Sequence, residues 1–381
     1  MQTRTIRNHF MKFTILLLLI LLINTIFAQA ETIKIGVFAD YTGQTSSFGI
    51  SSFSGIKMAV EQINTTGGIN GKKLEIVIAD DGGQAESTKS AVKKLIEEDK
   101  VDVLIGEPTS TGSIIGANIA QLAKVPMITP SGTNPKITEV GDFIFRACFV
   151  DSVQGEVMAK YAFETLKLKR VSLLVDFGSD YSKGLADSFR ISFKKLGGIV
   201  ASSTFYSGND EEFGSQLATI RRVKPQAIYI PGYYTQIGEI AREVRANRMK
   251  VTLLGGDGWD SPTLFELGGS TLNNSFITNN FATTIPNENV KTFVADYKKL
   301  YNLEPDSFAA LGYDSANLLA DALKRVNSTD KQKLRDTLAA TKNFQGITGK
   351  ITFDANRNPR KSVYILKIVD GKFVYNSTIE P

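Results

Sequence analysis

Residues Val101 to Pro135, VDVLIGEPTSTGSIIGANIAQLAKVPMITPSGTNP, restrict the fold more than any other stretch of the chain. Val101 to Ile105 is a β-branched run ending at Gly106, which suits a buried parallel strand. Gly112 to Lys124 then spaces Ile114, Ile115, Ile119, Leu122 and Ala123 as one face of a helix. Val125 to Thr129 reads as a second buried strand. A strand–helix–strand unit makes its strands parallel, so the polar loops Glu107–Thr111 and Pro130–Thr133 leave from one carboxyl edge. Open α/β sheets bind ligands at that edge. Ser110 and Thr133 bring hydroxyls there, and Gly132 keeps backbone N–H groups approachable. Ser110 is expected just ahead of a helix N-terminus, which favours an anion. The stretch predicts a cradle for a small carboxylate or phosphate.

The rest of the chain repeats the alternation. Thr32 to Ala39 is a first strand, and Asp40 to Ile50 a loop rich in Gly, Ser and Thr. Ser51 can cap a helix reaching Asn64, with Phe53, Ile56, Val60 and Ile63 on its inner face. Lys73 to Ala79 is a strand and Lys89 to Lys100 a helix. A second series begins near Asp151, with helices at 153–168, 181–196, 212–223 and 235–248. They alternate with strands at 170–175, 199–205, 227–231 and 251–255. Both series read as doubly wound, mainly parallel α/β sheets. After a strand at 275–278 come three helices, near 288–301, 306–326 and 330–341, with no strand between them. The chain is therefore expected to return and cover the first domain. A strand at 347–353 and a hairpin around Asp370-Gly371 close it. The expected division is a first lobe of 31–150 plus 279–352 and a second of 151–278 plus 353–381.

Residues 1–30 read as an export signal. Arg4, Arg7 and Lys12 precede a mostly apolar run from Phe13 to Phe27, and Ala28-Gln29-Ala30 is a cleavage site, so the mature chain would begin at Glu31. Asn24 and Thr25 interrupt the run too soon for a membrane span. No cysteine at the cut offers a lipid anchor, so an exported, soluble protein is expected. The leader holds three basic and no acidic residues of a chain at +5, leaving the mature part at +2. That near-neutral balance gives no argument for nucleic acid. The sole histidine, His9, also lies in the leader, and the single cysteine is Cys148. Ser-His, Cys-His and histidine-ligated metal chemistry are excluded from the mature chain, as is an internal disulfide. No cofactor is expected.

Apparent motifs fail on inspection. Gly67 to Lys73, GGINGKK, lacks the first glycine and the final hydroxyl of a phosphate loop and joins a helix to a strand, the reverse order. Asp354 to Asn358 opens like a calcium loop, but Pro359 and Ile365 stand where glycine and glutamate are needed. Asp80-Asp81 is expected to cap the following helix.

Convergence is the stronger signal. Two facing lobes place two sets of carboxyl-edge loops on one cleft. The first offers Phe48, Ser110 and Thr133; the second offers Tyr181, Tyr233, Asp257 and Trp259. Hydroxyls and N–H groups suit a carboxylate, Asp257 an ammonium, and aromatic rings an apolar side chain. Together they describe an α-amino acid.

The blocks IKIGVFADYTGQTSSFG, GIKMAVEQINTTGGINGKKLEIVIADD, VLIGEPTS, PMITPSGTNP, DYSKGLA, IYIPGYYTQIGEIAREVR and LLGGDGW span the mature chain in order. In order and spacing the chain resembles the type I periplasmic solute-binding proteins of ABC transporters, in the leucine/isoleucine/valine-binding group. The resemblance implies two lobes hinged around a central ligand cleft. It implies that Ser110, Thr133 and the backbone of Ser131 and Gly132 hold the ligand carboxylate. Tyr181 and Tyr233 fall on the family's tyrosines, and Asp257 on its ammonium-binding acid, commonly a glutamate. Phe48 replaces a tyrosine. Gly83 and Thr109 stand where the cysteines of a family disulfide would be, so none forms here.

What this implies is a binding protein, expected to be monomeric and not an enzyme, that delivers an amino acid to a membrane permease of an ABC transporter. Leucine, isoleucine and valine are the family's ligands. Changes at Phe48, Pro108 and Thr109 leave open another amino acid or a small aromatic acid or amide. A sensor that passes closure to a receptor is the alternative role. A hydrolase using Asp80 or Asp257 would lack a paired base and an activated nucleophile.

Overall fold

The computed structural model describes residues 32–380. The expected export signal and its cleavage site lie outside the described residues. Two sheets organise the chain. The first is wholly parallel, in the order β2-β1-β3-β4-β5, from β1 (Ile33–Ala39), β2 (Leu74–Asp80), β3 (Val103–Gly106), β4 (Met127–Thr129) and β5 (Ile144–Arg146). Val103, Leu104 and Ile105 are fully buried between flanking strands, which is why this stretch reads as a continuous apolar run.

The second sheet draws on β6 (Arg170–Asp176), β7 (Ile199–Tyr206), β8 (Ala227–Tyr229), β9 (Thr252–Gly255), β10 (Phe276–Asn279), β13 (Val363–Val369) and β14 (Lys372–Ile379). Its order is β14-β13-β10-β9-β8-β6-β7, parallel from β7 to β10 and antiparallel where β13 joins β10 and β14. A separate hairpin of β11 (Phe344–Gly346) and β12 (Gly349–Ile351) stands where one strand at 347–353 was expected.

The helices following β10 pack back against the first sheet. Leu311, Leu318, Leu319 and Leu323 of the Ser307–Val326 helix join Ile56, Val60 and Ile63 of the Ser46–Thr65 helix and Ile33, Ile35 and Val37 of β1 in one core. The chain thus passes from one sheet to the other after β5, returns after β10, and leaves again before β13.

One boundary differs from the sequence reading in a way that matters for the site. The first long helix begins at Ser46, not Ser51, so Phe48 is helical rather than in a loop. The carboxylate of Asp40 accepts hydrogen bonds from the Thr42 and Thr45 amides and the Thr45 hydroxyl, gathering the chain into a helical turn. The helix itself has no side-chain cap, so its start shows no Ser or Asp pattern to read. Asp81, expected to cap the next helix, instead accepts from the Gly83 amide and the Thr88 hydroxyl, while that helix starts after Gln84 without a side-chain cap.

Candidate functional site

The carboxyl ends of β3 and β4 build one wall. Thr109 caps the Ser110–Leu122 helix, its hydroxyl accepting from Gly112 N at 3.4 Å. Ser110 is therefore the first residue of that helix rather than its cap. Its Oγ accepts from the Asn134 amide at 3.2 Å, which leaves its own proton to donate elsewhere. Ser131 Oγ donates to the Pro108 carbonyl at 2.8 Å, tying the two loops together.

Gly132 plays a different part from the one expected. Its N–H is taken by Thr129 Oγ1 at 3.0 Å, and its carbonyl accepts from the Arg146 guanidinium at 2.6 Å. A side chain there would meet Ser113 Oγ at 2.6 Å, so glycine serves the tightness of the turn. Arg146, fully buried on β5, also donates to the Asn134 carbonyl at 2.8 Å and to Asn358 Oδ1 at 2.6 Å. It holds both ends of the 132–134 loop.

The second wall comes from β9 and the Asp180–Lys195 helix. Tyr181 Oη donates to Asp257 Oδ1 at 2.9 Å and accepts from Gly258 N at 3.1 Å. The Asp257 amide donates to Gln154 Oε1 at 2.9 Å, and the same oxygen accepts from Thr278 Oγ1 at 2.7 Å. The Tyr181 and Tyr233 rings stack with centroids 5.2 Å apart. Burial pushes the Asp257 carboxyl up to about 6, against the opposing hydrogen bond from Tyr181.

The walls meet at Asp151, the first residue of the Asp151–Lys160 helix, whose amide donates to the Thr133 carbonyl at 2.9 Å. Asp151 is 1% exposed, and burial pushes its carboxyl up to about 8, with the charge of Asp257 adding to the shift. Among the described residues no hydrogen bond of good geometry reaches either carboxyl oxygen of Asp151, Thr133 Oγ1, Gln154 Nε2 or Tyr233 Oη, although the Thr133 hydroxyl lies close enough to the Asp151 carboxyl to oppose its upward shift. Buried polar groups are almost always satisfied, so this concentration of open valences makes the junction the candidate site. It presents two carboxylates for a cation and, from Ser110 and Thr133, hydroxyls for an anion.

Phe48 supplies the apolar side. Its ring stacks on Phe308 with centroids 3.9 Å apart and meets Tyr233 edge-on at 5.6 Å. Trp259 does not join them as a cleft residue. Its indole N–H donates to the Ile230 carbonyl at 2.9 Å, and its ring lies where any side chain on Gly255 would sit, so it packs in the core behind the Asp257 turn.

Residues 32–372 match the family described as periplasmic binding protein. The chain belongs to that family. The type I periplasmic binding protein architecture extends to solved structures. One is a leucine-binding protein LivK from Thermotoga maritima, 36% identical over 92% of this chain and 99% of that one, with a TM-score of 0.88. Another is the branched-chain amino acid transporter substrate-binding protein LivJ from Streptococcus pneumoniae in complex with isoleucine, 33% identical over 92% and 100%, with a TM-score of 0.87. Among curated proteins, Leu/Ile/Val-binding protein homolog 3 of Brucella melitensis is 29% identical over 91% of this chain and 94% of its own.

For this periplasmic binding protein, sequence reasoning missed Asp151, Gln154 and Arg146. Asp151 and Gln154 stand three apart on one helix face where the chain passes between lobes, a spacing that was available as a signal. Nothing in FRACFV marks Arg146, because its partners lie in loops and in Asn358.

Proposed function

We propose that the chain is the exported binding subunit of an ABC importer, a monomer that closes over a small amino acid with a branched apolar side chain and presents it to a membrane permease. Its first lobe comprises 31–150 and 279–352, its second 151–278 and 353–381, after removal of the leader before Glu31. Ser110, Thr133 and the Ser131 backbone hold the ligand carboxylate. Asp257 and Asp151 hold the ammonium. Tyr181 fixes Asp257, Tyr233 lies along the ligand, and Phe48 with Phe308 limits the side chain. Gly132 and Trp259 support the loops without touching the ligand.

The observation that carries this reading is the set of unpartnered buried atoms on Thr133, Asp151, Gln154 and Tyr233. A zwitterion satisfies hydroxyls and two acids gathered at one junction, and charge-assisted bonds in a desolvated cleft are strong. The isoleucine bound to the LivJ neighbour supports a branched ligand. A ligand contacting both lobes only when they are closed shifts the population to the closed form.

A thermal-shift screen against all twenty amino acids, with benzoate and nicotinamide added, tests the proposal. Ligand at 100-fold over Kd stabilises by about 2.7 kcal/mol, so leucine, isoleucine or valine raises the melting temperature by several degrees. The amino acid is recovered unchanged after incubation. A screen in which no amino acid shifts the transition overturns the reading.

A further inference from the structure

Tyr181, Tyr233 and Asp257 of the second lobe each lie beside, or within three positions of, a residue that bonds the first lobe. Next to Tyr181, Asp180 accepts at its carbonyl from Asn134 Nδ2 at 2.8 Å and donates its amide to Thr111 Oγ1 at 3.2 Å. Next to Tyr233, Tyr234 Oη donates to the Gln44 carbonyl at 3.0 Å and accepts from Ser47 N at 3.3 Å. Three residues after Asp257, Asp260 Oδ2 accepts from Ser307 N at 2.9 Å, at the start of the first lobe's Ser307–Val326 helix, and from Asn279 Nδ2 at 2.8 Å.

Two of these three contacts line a lateral groove of about 1250 Å³, where Ser47, Tyr234, Asp260, Asn279 and Asp306 face the same space. None of Ser110, Thr133, Tyr181 or Asp257 lines it. The interlobe bonds there are thus separate from the clamp residues Ser110, Thr133, Tyr181 and Asp257. They also form a closed circuit. Ser261 Oγ pairs with Ser47 Oγ at 2.8 Å, Ser51 of the same helix bonds Asp306, and Asp306 caps the helix whose Ser307 amide meets Asp260.

We propose that Tyr234 and Asp260 form a latch that holds the lobes closed independently of which ligand is bound. This rests on the reading of the protein as a two-lobed binder, and Tyr234 and Asp260 act on the ligand only as positioning residues. Closing makes the latch bonds whether the ligand is leucine or valine, so they scale every affinity by one factor. Selectivity stays with Phe48, Phe308 and the clamp.

The test uses the full mature protein with Tyr234→Phe, which keeps the ring against Phe48, with Asp260→Ala, which removes the acceptor of both its bonds, and with both substitutions together. Affinities for leucine, isoleucine and valine are measured by calorimetry. The distance between spin labels on the two lobes is measured without ligand by double electron–electron resonance. Each single variant weakens all three ligands by a common factor of about 3 to 10, and their rank order is unchanged. The ligand-free distance distribution shifts toward longer separations, while the unfolding temperature of the ligand-free Tyr234→Phe protein stays within a few degrees of the parent. Equal affinities and unchanged distances in both variants overturn the latch, as does a loss confined to one ligand. If the parent binds no amino acid, the ligand assignment fails. The label distances still decide the latch on their own.

Discussion

The Tyr181 phenol and the Asp257 carboxylate, 76 residues apart in the chain, are joined by a 2.9 Å hydrogen bond, and the same phenol oxygen accepts from the next amide, Gly258 N. Tyr181 is thereby committed to holding the acid and its turn rather than to reaching the ligand. Tyr181→Phe keeps the stack on Tyr233 but removes both bonds. Amino-acid affinity measured by calorimetry should fall about 3- to 30-fold, and the carboxyl of Asp257 should rise further, since a bond that favours its ionised form is lost.

Asp257 and Asp151 differ in how much each has besides the ligand. Asp257 retains Tyr181, whereas no hydrogen bond of good geometry reaches either oxygen of Asp151. Removing the partner of a buried charge costs roughly 3–5 kcal/mol. Asp257→Ala should therefore weaken binding on the order of 10² to 10³-fold. Asp151→Asn should weaken it by at least about 10-fold while raising the stability of the ligand-free protein near pH 8, because a buried charge is gone. A denaturant titration alongside calorimetry reads both. A variant at either position that binds as the parent does removes that acid from the clamp.

The same two acids set a pH dependence. Both are raised above the ordinary value of 3.8, Asp257 to about 6 and Asp151 to about 8. The ligand-free folded protein therefore holds protons that the unfolded chain releases. Their contribution to stability is fully present below about pH 4 and is lost as pH rises through 6 and then 8. An ammonium favours the ionised acids, so binding expels protons and the apparent affinity rises over that window, by about 10-fold or more from pH 6 to pH 8. Calorimetry in buffers of different ionisation heat should show net proton release near pH 7, diminished in Asp151→Asn. A flat affinity from pH 5 to 8 contradicts the assignment.

What could be read from sequence follows from how locally each feature is determined. β3 is legible because a strand buried on both faces must be apolar throughout, and Val103 to Ile105 are. β5 is three residues long and has no period to show. The loop ahead of the Ser46–Thr65 helix is gathered by Asp40, a role that appears only once that loop folds back. Ser110, Thr133, Tyr181, Tyr233 and Asp257 lie in loops or first helical turns that follow strands, so topology made them candidates. Asp151 opens a helix, where an acid is already explained by the helix dipole. Trp259 sits two residues from Asp257, but its N–H goes to Ile230, and sequence proximity cannot tell a ligand wall from the packing behind it.

Arg146 carries the last prediction, because it links the integrity of the 132–134 loop to binding from outside the cleft. It is fully buried and no carboxylate bonds it; its donors go to the carbonyls of Gly132, Asn134 and Pro135, to Thr138 Oγ1 and to Asn358 Oδ1. Burial holds its guanidinium below the usual range, with the charges of Cys148 and Asp151 opposing that shift. Arg146→Met fills a similar volume but removes the charged donor, leaving Gly132 only the Cys148 thiol, Asn134 the Ile137 amide and Pro135 the Thr138 hydroxyl, and a hydrogen bond to a charged group contributes about 1.5–3 kcal/mol. The expected result is a loss of about 2–4 kcal/mol in stability by urea titration, together with weaker binding, as the loop bearing Thr133 loses its anchor. Arg146→Lys can restore one of those bonds and should recover part of the stability but little of the affinity, since a single ammonium cannot hold both ends of the loop. If the methionine variant unfolds earlier yet binds leucine as tightly as the parent at 10 °C, the loop is fixed by its own turn and by Ser131, and Arg146 is only a core residue.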